Sequence, residues 1–212
     1  MVTISEIRRV RSLCCLSLDN GEQYWLRSED LDVSGLKTGS SLDEKVLQRI
    51  IRSFQYPRAL NHAVSMLARR PCSRKEIYSR LIRLRYSEST SELVVFKLER
   101  EKLLDDEAFC EQWIRFRLSR RFGPSVIRQE LKVKGIADDL ISTAFSRLDP
   151  AEEENSALIL AEKAWKRMDP SGDIRKNRQK VISALVRKGY DWDTARSACD
   201  AFLSEMKKNC PD

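Results

Sequence analysis

A single histidine, His62, stands in the 212 residues, and none of the six cysteines (Cys14, Cys15, Cys72, Cys110, Cys199, Cys210) has C-x-x-C spacing. A zinc site therefore has little to draw on, and His62 is expected to be a surface or helix-packing residue. The thiols read as reduced and mostly packed, as in a reducing compartment. Glycine and proline are scarce, at seven and six, which favours long helices over many short strands. P-loop, G-x-G-x-x-G and H-E-x-x-H patterns are missing, as is any nucleophile–base pair, so no catalytic residue, metal ligand or cofactor site is assigned. The chain also lacks a charged-then-apolar leader and any run of about 18 apolar residues, so the expectation is a soluble, cytoplasmic protein with no membrane partner.

What is present is charge, and a repeat. Charged residues make up 33% of the chain, with a formal charge of +7, while a hydrophobic content of 42% suffices for a core. The cationic excess points to a polyanionic or acid-surfaced partner. One phrase occurs three times: a helix start, an amphipathic helix with a central leucine, then a stop. The copies are Ser73, Glu76, Ile77, Leu81, Arg85-Tyr86; Gly123-Pro124, Ile127, Leu131, Gly135-Ile136; and Asn177, Val181, Leu185, Gly189-Tyr190. The leucines are 50 and 54 residues apart, and each has an aliphatic residue four positions earlier on the same helix face. Such a period predicts an array of small helical units, none able to bury its apolar face alone. Arrays of this kind serve as binding surfaces more often than as catalysts.

The first 40 residues read differently. Val2–Ile4, Leu13–Leu18 and Gln23–Leu26 are strand-like, and Asp19-Asn20-Gly21 supplies a tight turn. A helix is expected over residues 42–51, and from Pro57 onward only helices, near 57–69, 74–84, 91–102, 106–121, 124–134, 138–148, 152–168, 176–188 and 192–207. The expected fold is mainly α, with a small β-containing module over 1–55 and three-helix repeats over 56–103, 104–150 and 151–212. Asp149-Pro150 and Asp169-Pro170-Ser171-Gly172 are the expected joints, and Asp173 or Asn177 the cap of the last repeat's middle helix.

The candidate site is cationic. Residues 113–134 carry Arg115, Arg117, Arg120, Arg121, Arg128, Lys132 and Lys134 against one acid, Glu130. Arg117 and Arg121, then Arg128 and Lys132, are four apart, so a continuous basic strip across two helices is expected. Charge reversal at Arg117 and Arg121 should then weaken partner binding without unfolding the helices. A second cluster, Arg175, Lys176, Arg178 and Lys180, sits near a helix start, where cations are disfavoured unless an anion meets them. Arg187-Lys188 reads as capping of a helix end. Phe109, Trp113, Phe116 and Trp165 read as core before base-stacking platforms. Asp105 and Asp106 read as helix-start acids before metal ligands.

The run Leu103-Leu104-Asp105-Asp106-Glu107-Ala108-Phe109, then Arg115, Arg117, Gly123-Pro124, Ile127 to Leu131 and Lys134-Gly135-Ile136, resembles the central pattern of the RecX regulatory proteins. Upstream, Ala63, Leu67 to Arg70, Ser73 to Ile77 and Leu81 resemble that family's first repeat, and Gly35-Leu36-Lys37 with Gly39 is similar to an N-terminal extension of some members. Arg85 and Lys102 stand where that family usually has glycine, and the Ser87–Ser91 segment is longer. The resemblance implies a monomeric, non-enzymatic array of three three-helix units that binds the RecA–single-stranded-DNA filament. It further implies that such binding limits filament growth, ATPase, strand exchange and co-protease activity. Read from the residues alone, other classes stay open: a helical DNA- or RNA-binding protein with no recombinase partner, a HEAT- or armadillo-like adaptor, and a metal-dependent nuclease on Asp105 and Asp106.

Overall fold

The computed structural model describes residues 1–169 and 172–209, the side chains of 207–209 excepted. Pro170 and Ser171 of the second expected joint, and Cys210, lie outside the described residues. The chain divides into two compact units, Met1–Asp105 and Asp106–Asp212.

The first unit opens with β1 (Val2–Val10), β2 (Leu13–Leu18) and β3 (Gln23–Arg27), followed by α1 (Ser28–Ser34) and the two-residue β4 (Ser41–Leu42). The strands form an antiparallel sheet in the order β3-β2-β1-β4. The hairpin turn falls at Gly21, whose φ of 87° is easy only for glycine. α2 (Glu44–Leu67) then runs 24 residues without a break, with Pro57 inside it. The sequence pattern instead predicts two helices, over 42–51 and 57–69. Continuity wins because α2 serves two cores at once: Leu47 and Ile51 pack under the sheet with Ile4, Leu16 and Leu26, while Ala59 and Ala63 pack against Ile77, Leu81, Val94 and Leu98. Between them lies Gln55, almost fully buried. Its amide donates to the Trp25 carbonyl at 2.7 Å and its oxygen accepts from the Ser87 N–H at 2.8 Å, so both ends are satisfied. Arg58 braces the same junction by pairing with Asp30 and, at 2.9 Å, with Glu29.

Three three-helix repeats follow the sheet. α2 closes the first with α3 (Arg74–Arg83) and α4 (Glu88–Arg100). The second is α5 (Asp106–Ser119), α6 (Pro124–Val133) and α7 (Asp138–Ser146), and the third α8 (Pro150–Trp165), α9 (Ile174–Arg187) and α10 (Trp192–Asn209). Their middle helices α3, α6 and α9 start as the sequence indicates. Ser73 and Glu76 form the reciprocal capping box, Pro124 occupies the first turn, and Asp173 accepts from the Arg175 N–H. Asn177 is buried instead and donates to the Asp169 carbonyl at 2.9 Å.

The repeat is clearest at the helix ends. Leu81, Leu131 and Leu185 are fully buried, as are Ile77, Ile127 and Val181 four residues earlier. Each anchor leucine accepts a backbone bond from five residues on, Tyr86 N–H at 3.2 Å, Ile136 N–H at 3.1 Å and Tyr190 N–H at 3.3 Å. The intervening residue is left-handed in all three: Arg85 at φ 70°, Gly135 at 84° and Gly189 at 97°. One helix-terminating geometry is therefore built three times, satisfying carbonyls that the helix leaves orphaned. α4 and α5 end the same way through Lys102 at φ 57° and Arg121 at φ 64°.

Side chains tolerate that conformation poorly, and Lys102 is exposed. Lys102→Gly is therefore expected to raise stability by about 0.5–1 kcal/mol, the relief of left-handed strain less the added unfolded-state entropy. Chemical denaturation measures this as a higher midpoint at unchanged slope; a lower midpoint would mean the lysine side chain holds more than its backbone costs.

Candidate partner-binding surface

α5 and α6 bring the seven expected cations near one another, but most are already engaged. Arg117 is the furthest from a free surface residue. Its side chain is 17% exposed, pairs with Glu130 at 2.5 Å, and stacks on Phe122 with 3.6 Å to the ring centre. The second Glu130 oxygen accepts from Trp113 Nε1 at 3.0 Å, and Lys134 lies over the opposite part of the same cluster, 4.0 Å from the Trp113 ring. Arg128 covers Phe145 at 4.1 Å and Lys132 pairs with Asp138 at 2.8 Å. Arg121 is not on the helix at all. It is the left-handed terminator, and its guanidinium donates to the Ser119 carbonyl at 2.9 Å.

The expected continuous basic strip is thus largely a clasp of cations over an aromatic cluster. Charge reversal at Arg117 would put two carboxylates side by side and damage the repeat, so that variant does not isolate a binding role. Arg115, Arg120 and Lys132 remain outward: Arg115 meets Glu111 at 3.8 Å, Lys132 stays 56% exposed beside Asp138, and Arg120 lies 5.6 Å from Phe116, itself 46% exposed. Phe109 is buried in the repeat core, as expected of it.

α9 is the reverse case. Of its cations only Arg178 is tied down, by a two-pronged bond to Asp200 of α10 at 2.7 and 2.8 Å. That bond holds the Asp200 carboxyl below its usual range and Arg178 above its own. Arg178 accordingly ties α9 to α10. Arg175, Lys176, Lys180 and Arg187 are exposed, the helix contains no acid, and none of the four side chains has a partner among the described residues. Lys176, Lys180 and Arg187 fall on one stripe, separated along the axis by about 6 and 10 Å. Lys188 turns inward over Phe122 at 4.1 Å, so Arg187 and Lys188 have different fates.

The described residues hold no group of three or more His, Cys, Asp or Glu side chains placed to bind a metal. Cys14, Cys15, Cys72, Cys110 and Cys199 are unbridged and buried, and burial pushes the Cys110 thiol up to about 11. None of the described helices is long and apolar enough to cross a membrane. His62 is exposed on α2, its Nδ1 2.8 Å from the Tyr86 hydroxyl.

Two family models match the second unit: RecX, second three-helix domain, over residues 105–144, and RecX, third three-helix domain, over 152–199. The regulatory protein RecX of Prosthecochloris aestuarii is 36% identical over 151 residues, which span 69% of this chain and 95% of that one. The chain belongs to the RecX family. The regulatory protein RecX of Mycolicibacterium smegmatis is 34% identical over 155 residues, covering 71% of this chain and 82% of its relative. A crystal structure of regulatory protein RecX superposes with a TM-score of 0.63 at 26% identity, covering 94% of this chain and all of the other. Within the RecX frame, the matched segments are the α5–α7 and α8–α10 bundles whose surfaces are described above. The exposure of Lys180 and Arg187 is what sequence reasoning did not resolve. The absence of any acid on their helix was legible, but no rule of spacing separates a cation that will find a distant Asp200 from one that will not.

Proposed function

We propose that this RecX-family chain regulates a recombinase of the RecA type by binding its filament on single-stranded DNA, without catalysing a reaction. In this reading it opposes filament growth and the ATP hydrolysis, strand exchange and co-protease activity that depend on the filament. Family membership supports the class of partner. The observation that carries the choice of surface is the acid-free outer stripe of α9, Lys176, Lys180 and Arg187 with Arg175 beside it, whose charges are uncompensated among the described residues. Arg115 on α5, Arg120 just beyond its end and Lys132 on α6 are secondary candidates. A binder changes a filament only through unequal affinity for its states. The stripe supplies that inequality if it meets acidic groups or phosphates lined up only in the assembled polymer.

The test is RecA ATPase on single-stranded DNA, with wild-type protein and with Lys176→Glu/Lys180→Glu/Arg187→Glu. The wild type should inhibit at amounts well below one per recombinase protomer. The triple variant should need at least about tenfold more, since three exposed charge contacts of some 0.5–1 kcal/mol each are reversed. Equal inhibition by the two proteins would remove α9 from the mechanism. The same acid-free stripe favours a second reading, direct binding of nucleic acid with no recombinase. That reading expects affinity for naked single strands to fall with salt at a slope near −0.7 per phosphate contacted, unaffected by added RecA.

A further inference from the structure

A cleft of about 220 Å³ opens in the first unit where the sheet meets the first repeat. Its wall is Trp25 and Leu26 of β3 with Leu84, and Arg27, Arg58, Arg85 and His62 line it beside a single carboxylate, Asp30. The ion pairs do not balance. Asp30 and the neighbouring Glu29 are both taken by Arg58, and Glu29 is a further 3.5 Å from Arg27. Among the described residues Arg85 meets no carboxylate; its guanidinium lies 5.1 Å from the Trp25 ring centre. His62 spends Nδ1 on the Tyr86 hydroxyl and leaves Nε2 without a protein partner among the described residues.

The backbone at Arg85 sets what a test substitution there can be. The second and third repeats place Gly135 and Gly189 at this left-handed position, and the first places an arginine there at φ 70°. Arg11, Lys102 and Arg121 hold the same conformation, so the case for Arg85 rests on the cleft it lines. The cleft has room for about seven waters, below the ~300 Å³ at which pockets for whole organic ligands begin. It therefore suits a small anionic group whose remainder projects outward.

We propose that this cleft is a phosphoryl-binding site, in which Arg27 and Arg85 grip the oxygens of a phosphate ester against the Trp25 wall. Guanidinium forks match that tetrahedral oxyanion geometrically, and the indole offers an apolar face to whatever the phosphate carries. The ester can come from a free nucleotide or from the backbone of a strand, and the site's chemistry is the same for both. It does not depend on the α9 surface or on a recombinase.

Titration of the full chain with inorganic phosphate, dAMP and a short oligo-dT, followed through the arginine side-chain N–H resonances, tests this. At least one probe is expected to saturate at Arg27 and Arg85. Arg27→Gln and Arg85→Gly should each weaken it by about tenfold or more, as expected for losing a charge-assisted bond. Glycine accepts φ 70°, so Arg85→Gly should keep the fold; if it does not, Arg27→Gln alone decides. Saturation read at the Arg27 and Arg85 resonances, and not at those of Arg175 and Arg187, separates this site from α9. An oligo-dT bound more tightly than dAMP assigns the phosphate to a strand, and the reverse assigns it to a free nucleotide. Absence of saturation with all three probes, or variants that bind like wild type, overturns the proposal.

Discussion

Gly123→Ala is expected to lower the stability of the second unit by at least about 3 kcal/mol, among the larger costs of a single added methyl. A Cβ at Gly123 would stand 2.3 Å from the carbonyl carbon of Gly189 and from the Tyr190 nitrogen, so backbone meets backbone and no rotamer relieves it. The contact is where the second and third repeats join. The Gly123 N–H donates to the Lys188 carbonyl at 2.8 Å, and the Ser125 N–H and hydroxyl each donate to the Gly189 carbonyl at 3.0 Å. Donors orphaned at the start of α6 are thus met by acceptors orphaned at the end of α9, with opposite dipole ends facing. Nearby, the buried Ser156 hydroxyl lies 2.7 Å from both the Leu118 carbonyl and the Tyr190 hydroxyl. Separating the backbones would unpair these groups too. Calorimetry should show the melting temperature falling by roughly 6–12 °C. Gly35→Ala is the control: it has φ 70° but open space around a Cβ, and should cost only about 1 kcal/mol. A fall no larger than the control's would mean the repeats part without penalty.

Glu130→Ala is expected to cost about 3–5 kcal/mol, the range for removing one partner of a mostly buried ion pair. The damage comes from what stays behind. Arg117 would keep its charge against Phe122, with Nε already lacking a partner, and Trp113 Nε1 would lose its acceptor. The double change Arg117→Leu/Glu130→Leu should recover much of the loss, since replacing both charges with apolar groups removes the unpaired cation. Urea unfolding of the two variants measures the difference. If the single and double variants are equally unstable, packing of the long side chains and not their charges holds the cluster.

Several elements could be read before any coordinates. The anchor leucines and their partners four residues earlier all proved buried, because a period of 3.6 residues reports directly on which face of a helix turns inward. Ser73 and Glu76 formed their box because capping is local chemistry. The short helix α1 has no clear sequence signal: Ser28–Ser34 lacks a side-chain cap and is held by packing on β3 just before it and on β2. Pro57 was read as a beginning because proline starts helices well, yet two cores on either side of it outweigh the lost hydrogen bond. The candidate surface was half legible. Clustering of charge along residues 113–134 was visible, but whether a cation points outward depends on where Glu130, Phe122 and Phe145 arrive. The pairing of Arg178 was hidden for the same reason, its Asp200 being 22 residues away.

The unbroken course of α2 means that the β-module is not an interchangeable cassette. A graft point anywhere between Glu44 and Leu67 would sever a shaft that carries Leu47 and Ile51 at one end, Ala59 and Ala63 at the other, and the doubly bonded Gln55 amide in the middle. Engineers who trim this protein to its first repeat would inherit an apolar helix face with nothing upon it.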